Sequence, residues 1–266
     1  MFPFTALVWT LAQRDLNARF KGTLLGWLWS LIVPLVALGL YSVVFGLIFR
    51  AEVQPLGNGH PPIYALWLFI GLIAFTFFSN GLMRGAESLR ALAGVLNRVR
   101  MPVLAPVLSG LISVGVQGLV ELGLYLVVLA AFLNVGWSWL LLPLWAVLFY
   151  VFTAGISAVV AVLSVHLEDI VQFVAVLLQF LFFATPIMYP LTMIPADLGG
   201  SVVDVRELLG ASPLAHFVSM ARALLYDLNP GTIGQWLALV GFAAGSVLVG
   251  GLTVKYLGAD VAERLQ

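Results

Sequence analysis

The chain has 266 residues, 62% of them hydrophobic and only 9% charged, with twelve Lys and Arg against twelve Asp and Glu. Soluble domains run at about 45–50% apolar and about 25% charged, so an ordinary soluble protein is excluded, and the balanced charge leaves no global field for nucleic acid. The absence of cysteine also excludes disulfides and thiolate metal sites.

Phe4, Leu7, Val8 and Leu11 recur at helical spacing ahead of Arg14, Arg19 and Lys21, which predicts an interfacial helix within residues 1–22. No basic n-region and no A-x-A site accompany it, so no cleaved signal peptide is expected. The run from Arg14 to Pro34 joins this basic stretch directly to an apolar span, as in a segment that lies on a membrane surface and then turns into the bilayer.

A spanning helix takes about 20 mostly apolar residues, because hydrocarbon offers no partner to unpaired backbone groups. Six segments qualify: Leu28–Phe49, Ile63–Met83, Val103–Leu133, Trp139–Ser164, Ile170–Tyr189 and Gly234–Tyr256. The predicted fold is therefore all-α, one polytopic membrane domain over 1–266 with a six-helix bundle across 28–256. Nine Lys and Arg fall on the side of the termini and three (Arg50, Arg206, Arg222) on the other, which places both termini in the cytoplasm. Trp27, Trp29, Trp67, Trp137, Trp139 and Trp236 lie near predicted helix ends, as in an aromatic belt; Trp145 does not.

Between the spans, residues 86–97 are compatible with a cytoplasmic helix and are followed by Arg98, Arg100 and Pro102. Thr185-Pro186 and Tyr189-Pro190 break the end of the fifth span. Residues 191–230 then mix charge with apolar residues on the outer side. Within them Ser212-Pro213 supplies an N-cap and a first-position proline, and Leu214, Phe217, Val218, Ala221, Leu224 and Leu225 form one apolar face of a short outer helix.

The sequence offers little reactive chemistry. His60, His166 and His216 fall in three different loops, which argues against a metal site or a proton relay. The only lysines, Lys21 and Lys255, lack the Gly-rich approach of a phosphate-binding loop, so ATP-driven transport needs an ATPase on another chain. Glu121 is the one acid deep in a predicted span. It continues a strip of Ser109, Ser113, Gln117 and Tyr125 at four-residue spacing, on one side of a helix. Two readings stand: a polar lining for a translocation path, or interhelical hydrogen bonding.

Gly241 with Gly245, and Ala154 with Ala158, mark close helix packing within one chain or between two. Aromatic residues crowd three spans, Tyr41 and Phe45 in the first, Phe75 among those in the second, Phe173, Phe180, Phe182 and Phe183 in the fifth. They are bulk for packing, or rings on which the C–H faces of sugars can lie.

Several of these pieces fall in a familiar order. Arg14-Asp15-Leu16, Arg19-Phe20-Lys21, Leu25-Gly26, Trp29 and Pro34 resemble the entry signature of the ABC-type polysaccharide exporter permeases. Asn97–Pro106, Thr185–Pro190, Ser212-Pro213-Leu214 with Arg222, and Ala259–Leu265 are similar to later segments of that family, so the resemblance covers nearly the whole chain. Glu168 stands where the family often has Arg, and Val103 where a charge is common.

The resemblance implies a membrane subunit in the bacterial cytoplasmic membrane, without nucleic-acid partners, exporting lipid-linked, O-antigen-like polysaccharide for lipopolysaccharide biosynthesis. Two copies would form the pore, each docked to a soluble ATPase that carries ATP and Mg. No metal or cofactor is expected on this chain. Arg14, Arg19 and Lys21 would meet lipid headgroups or a substrate diphosphate, or would only fix topology. Glu87, Arg90, Asn97, Arg98 and Arg100 would couple to the ATPase. Ser113, Gln117, Glu121, Tyr41, Phe45 and Phe75 would line the path, and Pro186, Tyr189, Pro190, Pro213, Phe217 and Arg222 would form the outer gate. The rival readings are an ABC exporter of drugs or small lipids, and a stand-alone ion-coupled carrier using Glu121. The absence of a repeated half weighs against the carrier.

Overall fold

Long apolar runs leave the backbone only its own hydrogen bonds, and each run becomes helix. The computed structural model describes residues 4–20, 26–91, 102–194, 205–258 and 261, and nine α-helices with no strand occur among them. They are α1 (Phe4–Phe20), α2 (Trp29–Tyr41, continued by a π-helical stretch Ser42–Ile48), α3 (Tyr64–Ala91), α4 (Leu104–Ala131), α5 (Leu142–His166), α6 (Ile170–Ala184), α7 (Val205–Gly210), α8 (Pro213–Leu225) and α9 (Ile233–Leu257).

Among the described residues five helical stretches are long and apolar enough to cross a membrane: Leu31–Ile48, Tyr64–Ala91, Leu104–Ala131, Trp137–His166 and Ile233–Leu257. The expected fifth span departs from this pattern. α6 has 15 residues, about 22 Å at 1.5 Å per residue, and residues 185–189 are not helical. Proline is the cause. Thr185 precedes Pro186 and is extended (φ −86°, ψ 134°), because the proline ring disfavours the α region for the residue before it.

α1 lies against α4, burying Val8 and Ala12 while Phe4 and Trp9 stay exposed. The end of the bundle near α1 is called the α1 side below, and the opposite end the far side. On the α1 side, Glu87 and Arg90 occupy the last turns of α3 itself, so the structure shows no separate helix as far as Ala91. The remainder of the predicted 86–97 helix lies outside the described residues, as do Lys21, Asn97, Arg98 and Arg100.

The core is built on α3, α4 and α5, with α9 packed on α5 and α8 wedged between α3 and α5. The apolar face predicted for α8 is fully turned inward: Leu214, Phe217, Val218, Ala221, Leu224 and Leu225 are all buried. Phe217 sits between Phe149 and Phe152, with ring centroids at 4.9 and 5.0 Å. Trp145, the tryptophan that fits no belt, donates from Nε1 to the Phe217 carbonyl at 3.0 Å.

Close helix contact is made at small residues, and Ala158 of the expected Ala154 and Ala158 pair is buried. A Cβ on Gly155 of α5 would lie 2.4 Å from the Ser246 carbonyl carbon of α9, and one on Gly85 of α3 would lie 2.2 Å from Ser157 Oγ of α5. Gly81 and Gly85 form a G-x-x-x-G pair on α3, and Ser157 Oγ donates across that crossing to the Gly81 carbonyl at 3.0 Å. At Gly241 and Gly245, by contrast, a Cβ would meet nothing within 4 Å, so that pair does not pack within this chain.

The contrast is testable. Gly155→Leu should abolish the monodisperse, folded peak of the detergent-extracted protein, whereas Gly241→Leu should retain it, as read by fluorescence-detected size exclusion.

Candidate functional site

The break after α6 leaves carbonyl groups that no helix can satisfy, and a buried arginine answers them. Arg222 of α8 is 5% exposed. It donates from Nη1 to the Pro186 carbonyl at 2.7 Å, from Nη2 to the Ile187 carbonyl at 2.6 Å and from Nε to the Trp67 carbonyl at 3.2 Å. Its guanidinium carbon also lies 3.4 Å from the centre of the Trp67 ring. A buried cation is costly unless it is partnered; here three of the five N–H donors of a guanidinium meet carbonyls and an aromatic ring covers its face. Gly71 makes room, since a Cβ there would come within 2.7 Å of Nη2.

Other side chains close the far end of α8 in the same way. Asn134 donates to the Leu225 and Tyr226 carbonyls at 2.9 and 3.0 Å, and Ser138 to the Leu224 carbonyl at 2.6 Å. These are last-turn carbonyls, which a helix leaves without internal partners. The Tyr226 hydroxyl donates to the Gln54 carbonyl at 2.9 Å and accepts from the Ile63 amide at 3.1 Å. Tyr64 donates to the Met188 carbonyl.

Of the expected gate residues, Pro186, Phe217 and Arg222 are therefore buried, Tyr189 and Pro190 are half-buried, and Pro213 opens α8 behind the Ser212 cap. Beside Arg222 a cavity of about 270 Å³ opens, lined among others by Glu52, Tyr189, Ser219 and Asp227. Desolvation raises the Asp227 carboxyl to about 6 against the opposing pull of Arg222.

The polar strip of α4 is turned inward. Ser109, Ser113, Gln117, Glu121 and Tyr125 are all buried. Ser113 Oγ donates to the Ala12 carbonyl of α1 at 3.3 Å, Gln117 Nε2 to Glu121 Oε1 at 2.9 Å, and the Tyr125 hydroxyl to the Leu66 carbonyl of α3 at 3.0 Å. This places the strip in the seam where α4 meets α1 and α3.

Three of the expected path aromatics gather elsewhere. Tyr41 of α2 and Phe75 of α3 both meet Phe182 of α6, at 5.6 and 5.0 Å between ring centroids. Phe45 joins the same cluster around Leu68, Leu72, Ile187 and Met188.

α6 also carries an open face with uncharged polar groups. Gln172, Phe173, Val176, Gln179, Phe180 and Phe183 are exposed on one face, Phe173 and Phe180 at 62% and 66%. Two glutamines seven residues apart recur on the same side of a helix, and that spacing was visible in the sequence.

On the α1 side, Arg14, Asp15, Arg84, Glu87 and Ser88 line a polar pocket of about 230 Å³. Arg84 pairs with Asp15 at 3.4 Å and ties α3 to α1. Arg19 lies in the last turn of α1. Arg90 is held by its own chain: it donates to the Ser164 carbonyl and, at 3.5 Å, to the Leu167 carbonyl, closing the end of α5. Among the described residues no group of three or more His, Cys, Asp or Glu could hold a metal ion.

The described residues form an all-helical, multi-pass membrane protein with polar seams between its helices and a glutamine-bearing face left open. Residues 6–226 match the ABC-2 type transporter family, and the chain belongs to it. Its members are membrane subunits and not enzymes, and membership implies an ATP-binding subunit as partner. The chain is 26% identical over 228 residues (85% of this chain, 83% of the relative) to the O-antigen export system permease protein RfbA of Myxococcus xanthus. It is 26% identical over 263 residues (96% and 94%) to the protein of that name from Klebsiella pneumoniae. Over 235 residues (85% and 82%) it is 25% identical to the polysialic acid transport protein KpsM of Escherichia coli.

Arg222→Met keeps the apolar stem and removes every donor. Leaving buried carbonyls unpaired should cost about 3 kcal/mol or more, seen as a large drop in the unfolding temperature of the detergent-extracted protein.

Proposed function

We propose that this chain is the permease subunit of an ATP-driven exporter that moves a lipid-linked, O-antigen-like polysaccharide across the bacterial cytoplasmic membrane, with both termini in the cytoplasm. The observation that carries the reading is the pair of helices this chain leaves unpacked. Only 6% of the Leu31–Ile48 span is buried, and the open face of α6 presents two glutamines among phenylalanines.

An amide facing hydrocarbon is unfavourable, so this face belongs against water or a second copy. A glycan supplies what such a face can hold: hydroxyls for Gln172 and Gln179, and apolar C–H faces for Phe173, Phe180 and Phe183. In this reading two copies enclose the passage between their α2 and α6 helices, with Tyr41, Phe45 and Phe75 bracing its far end. Ser113 holds α4 to α1 and Tyr125 holds it to α3, with Gln117 and Glu121 bonded to each other between them. The names of the relatives from three bacteria support the polysaccharide cargo.

The driving chemistry lies on two soluble ATPase subunits that carry ATP and Mg. Glu87, Asn97, Arg98 and Arg100 belong to the region that meets them. Arg90 passes displacement of the α3 end to the α5–α6 turn, because it joins the two. Arg14, Arg19 and Lys21, now with Arg84, form a basic entrance for lipid headgroups or the substrate diphosphate. Arg222 with Pro186, Tyr189, Pro190, Pro213 and Phe217 frames the exit.

Two measurements test the proposal. The tagged chain, purified from its native membranes in mild detergent, should bring with it a near-stoichiometric protein bearing a Walker A loop. Deleting its gene should strip the cell surface of long polysaccharide while lipid-linked glycan accumulates inside. Purification of the chain alone from several detergents, with unchanged surface polysaccharide on deletion, contradicts it.

A further inference from the structure

The far-side cavity beside Arg222 is accounted for neither by the packing of the bundle nor by the passage. Its inner wall is the Arg222 guanidinium, fixed by three carbonyls and by Trp67. Glu52, from the loop between α2 and α3, and Asp227, just after α8, bring two carboxylates to the same space, and Ser219 adds a hydroxyl. Tyr189 supplies an aromatic wall, its ring held by hydroxyl donation to the Phe183 carbonyl at 2.6 Å. At about 270 Å³ the cavity lies just under the roughly 300–1,000 Å³ of drug-sized ligand sites. It takes one ring and not a chain.

The charges narrow the ligand. A fixed guanidinium at the inner wall opposes a metal cation, and two carboxylates oppose an anion. What remains is a neutral molecule that both donates and accepts several hydrogen bonds and carries an apolar face.

We propose that this cavity binds a single pyranose residue on the outer side of the membrane. Its hydroxyls donate to the Glu52 and Asp227 carboxylates and accept from Ser219 and Arg222, while its C–H face lies on Tyr189. The inference rests on the polysaccharide reading above and adds to it a holding site at the exit, outside the aromatic passage. Such a site retains the emerging glycan between ATPase strokes and opposes backward slip.

The test uses the wild-type chain with its ATPase in nanodiscs. Methyl α-mannopyranoside, methyl β-galactopyranoside, methyl α-rhamnopyranoside and N-acetylglucosamine serve as probes in saturation-transfer difference NMR. At least one probe should receive saturation. Ser219→Trp, which fills the cavity, and the pair Glu52→Gln with Asp227→Asn should each weaken its binding about tenfold or more, the loss expected for hydrogen bonds to charged groups.

If Ser219→Trp fails to assemble with the ATPase, the carboxylate pair decides. Absence of saturation for all four probes overturns the proposal, and so does unchanged binding in the variants. Polysaccharide export is measured on the same wild-type preparation, which separates the two claims. Export without sugar binding removes the holding site and leaves the exporter reading standing, whereas a complex that moves no glycan contradicts the exporter reading whatever the probes do.

Discussion

In hydrocarbon a broken helix has to find partners for its carbonyls inside the protein, and in this chain Arg222 provides them. α6 stops at Ala184 because of Pro186, and the residues that follow turn their carbonyls toward α8. A lysine could offer only a point charge there, whereas the planar guanidinium reaches Pro186, Ile187 and Trp67 together. Because the same side chain stacks on Trp67, the break in α6, the start of α3 and the end of α8 form one unit. Asn134, Ser138 and Tyr226 extend that unit to the loops on either side.

The anchored α8 divides the bundle into unequal parts. α3, α4, α5, α8 and α9 pack on one another through aromatic stacks and small-residue crossings, with Phe217 at the centre. α2 and α6 border this block but keep broad faces uncovered. These uncovered faces are where the proposed second copy would pack, while Arg222 and Phe182 keep the end of α6 tied to the block. On the α1 side, the Arg84–Asp15 and Arg90–carbonyl ties bind α1, α3 and α5 at the end of the bundle proposed to meet the ATPase.

Much of this was legible in the residues. Apolar length marked the spans, because the bilayer makes helix the only outcome for such runs. Ser212-Pro213 marked the start of α8, and the two X-Pro pairs marked the end of α6. What stayed hidden depended on which helix faces which. Gly241 and Gly245 have the packing motif but face away from the chain, while Gly155 packs on α9 without any motif. Trp145 looked misplaced in its span until α8 supplied a carbonyl for it. The strip through Glu121 has a four-residue spacing legible in the sequence, but that Ser113 would meet α1 and Tyr125 would meet α3 depended on where those helices pack. The acceptors of Arg90 lie in its own chain, more than seventy residues away, where no local pattern marks them.

Because the natural chain contains no cysteine, single cysteines can report directly whether the open face of α6 meets water. The decisive measurement is the rate at which a charged, water-soluble thiol reagent modifies Gln179→Cys in the assembled transporter, compared with Val240→Cys on an exposed stretch of α9. The account predicts rapid modification at position 179, slowed when lipid-linked glycan is bound, and almost none at position 240. Equal and negligible modification at both positions would mean that α6 faces lipid or dry protein, and the passage would have to lie elsewhere.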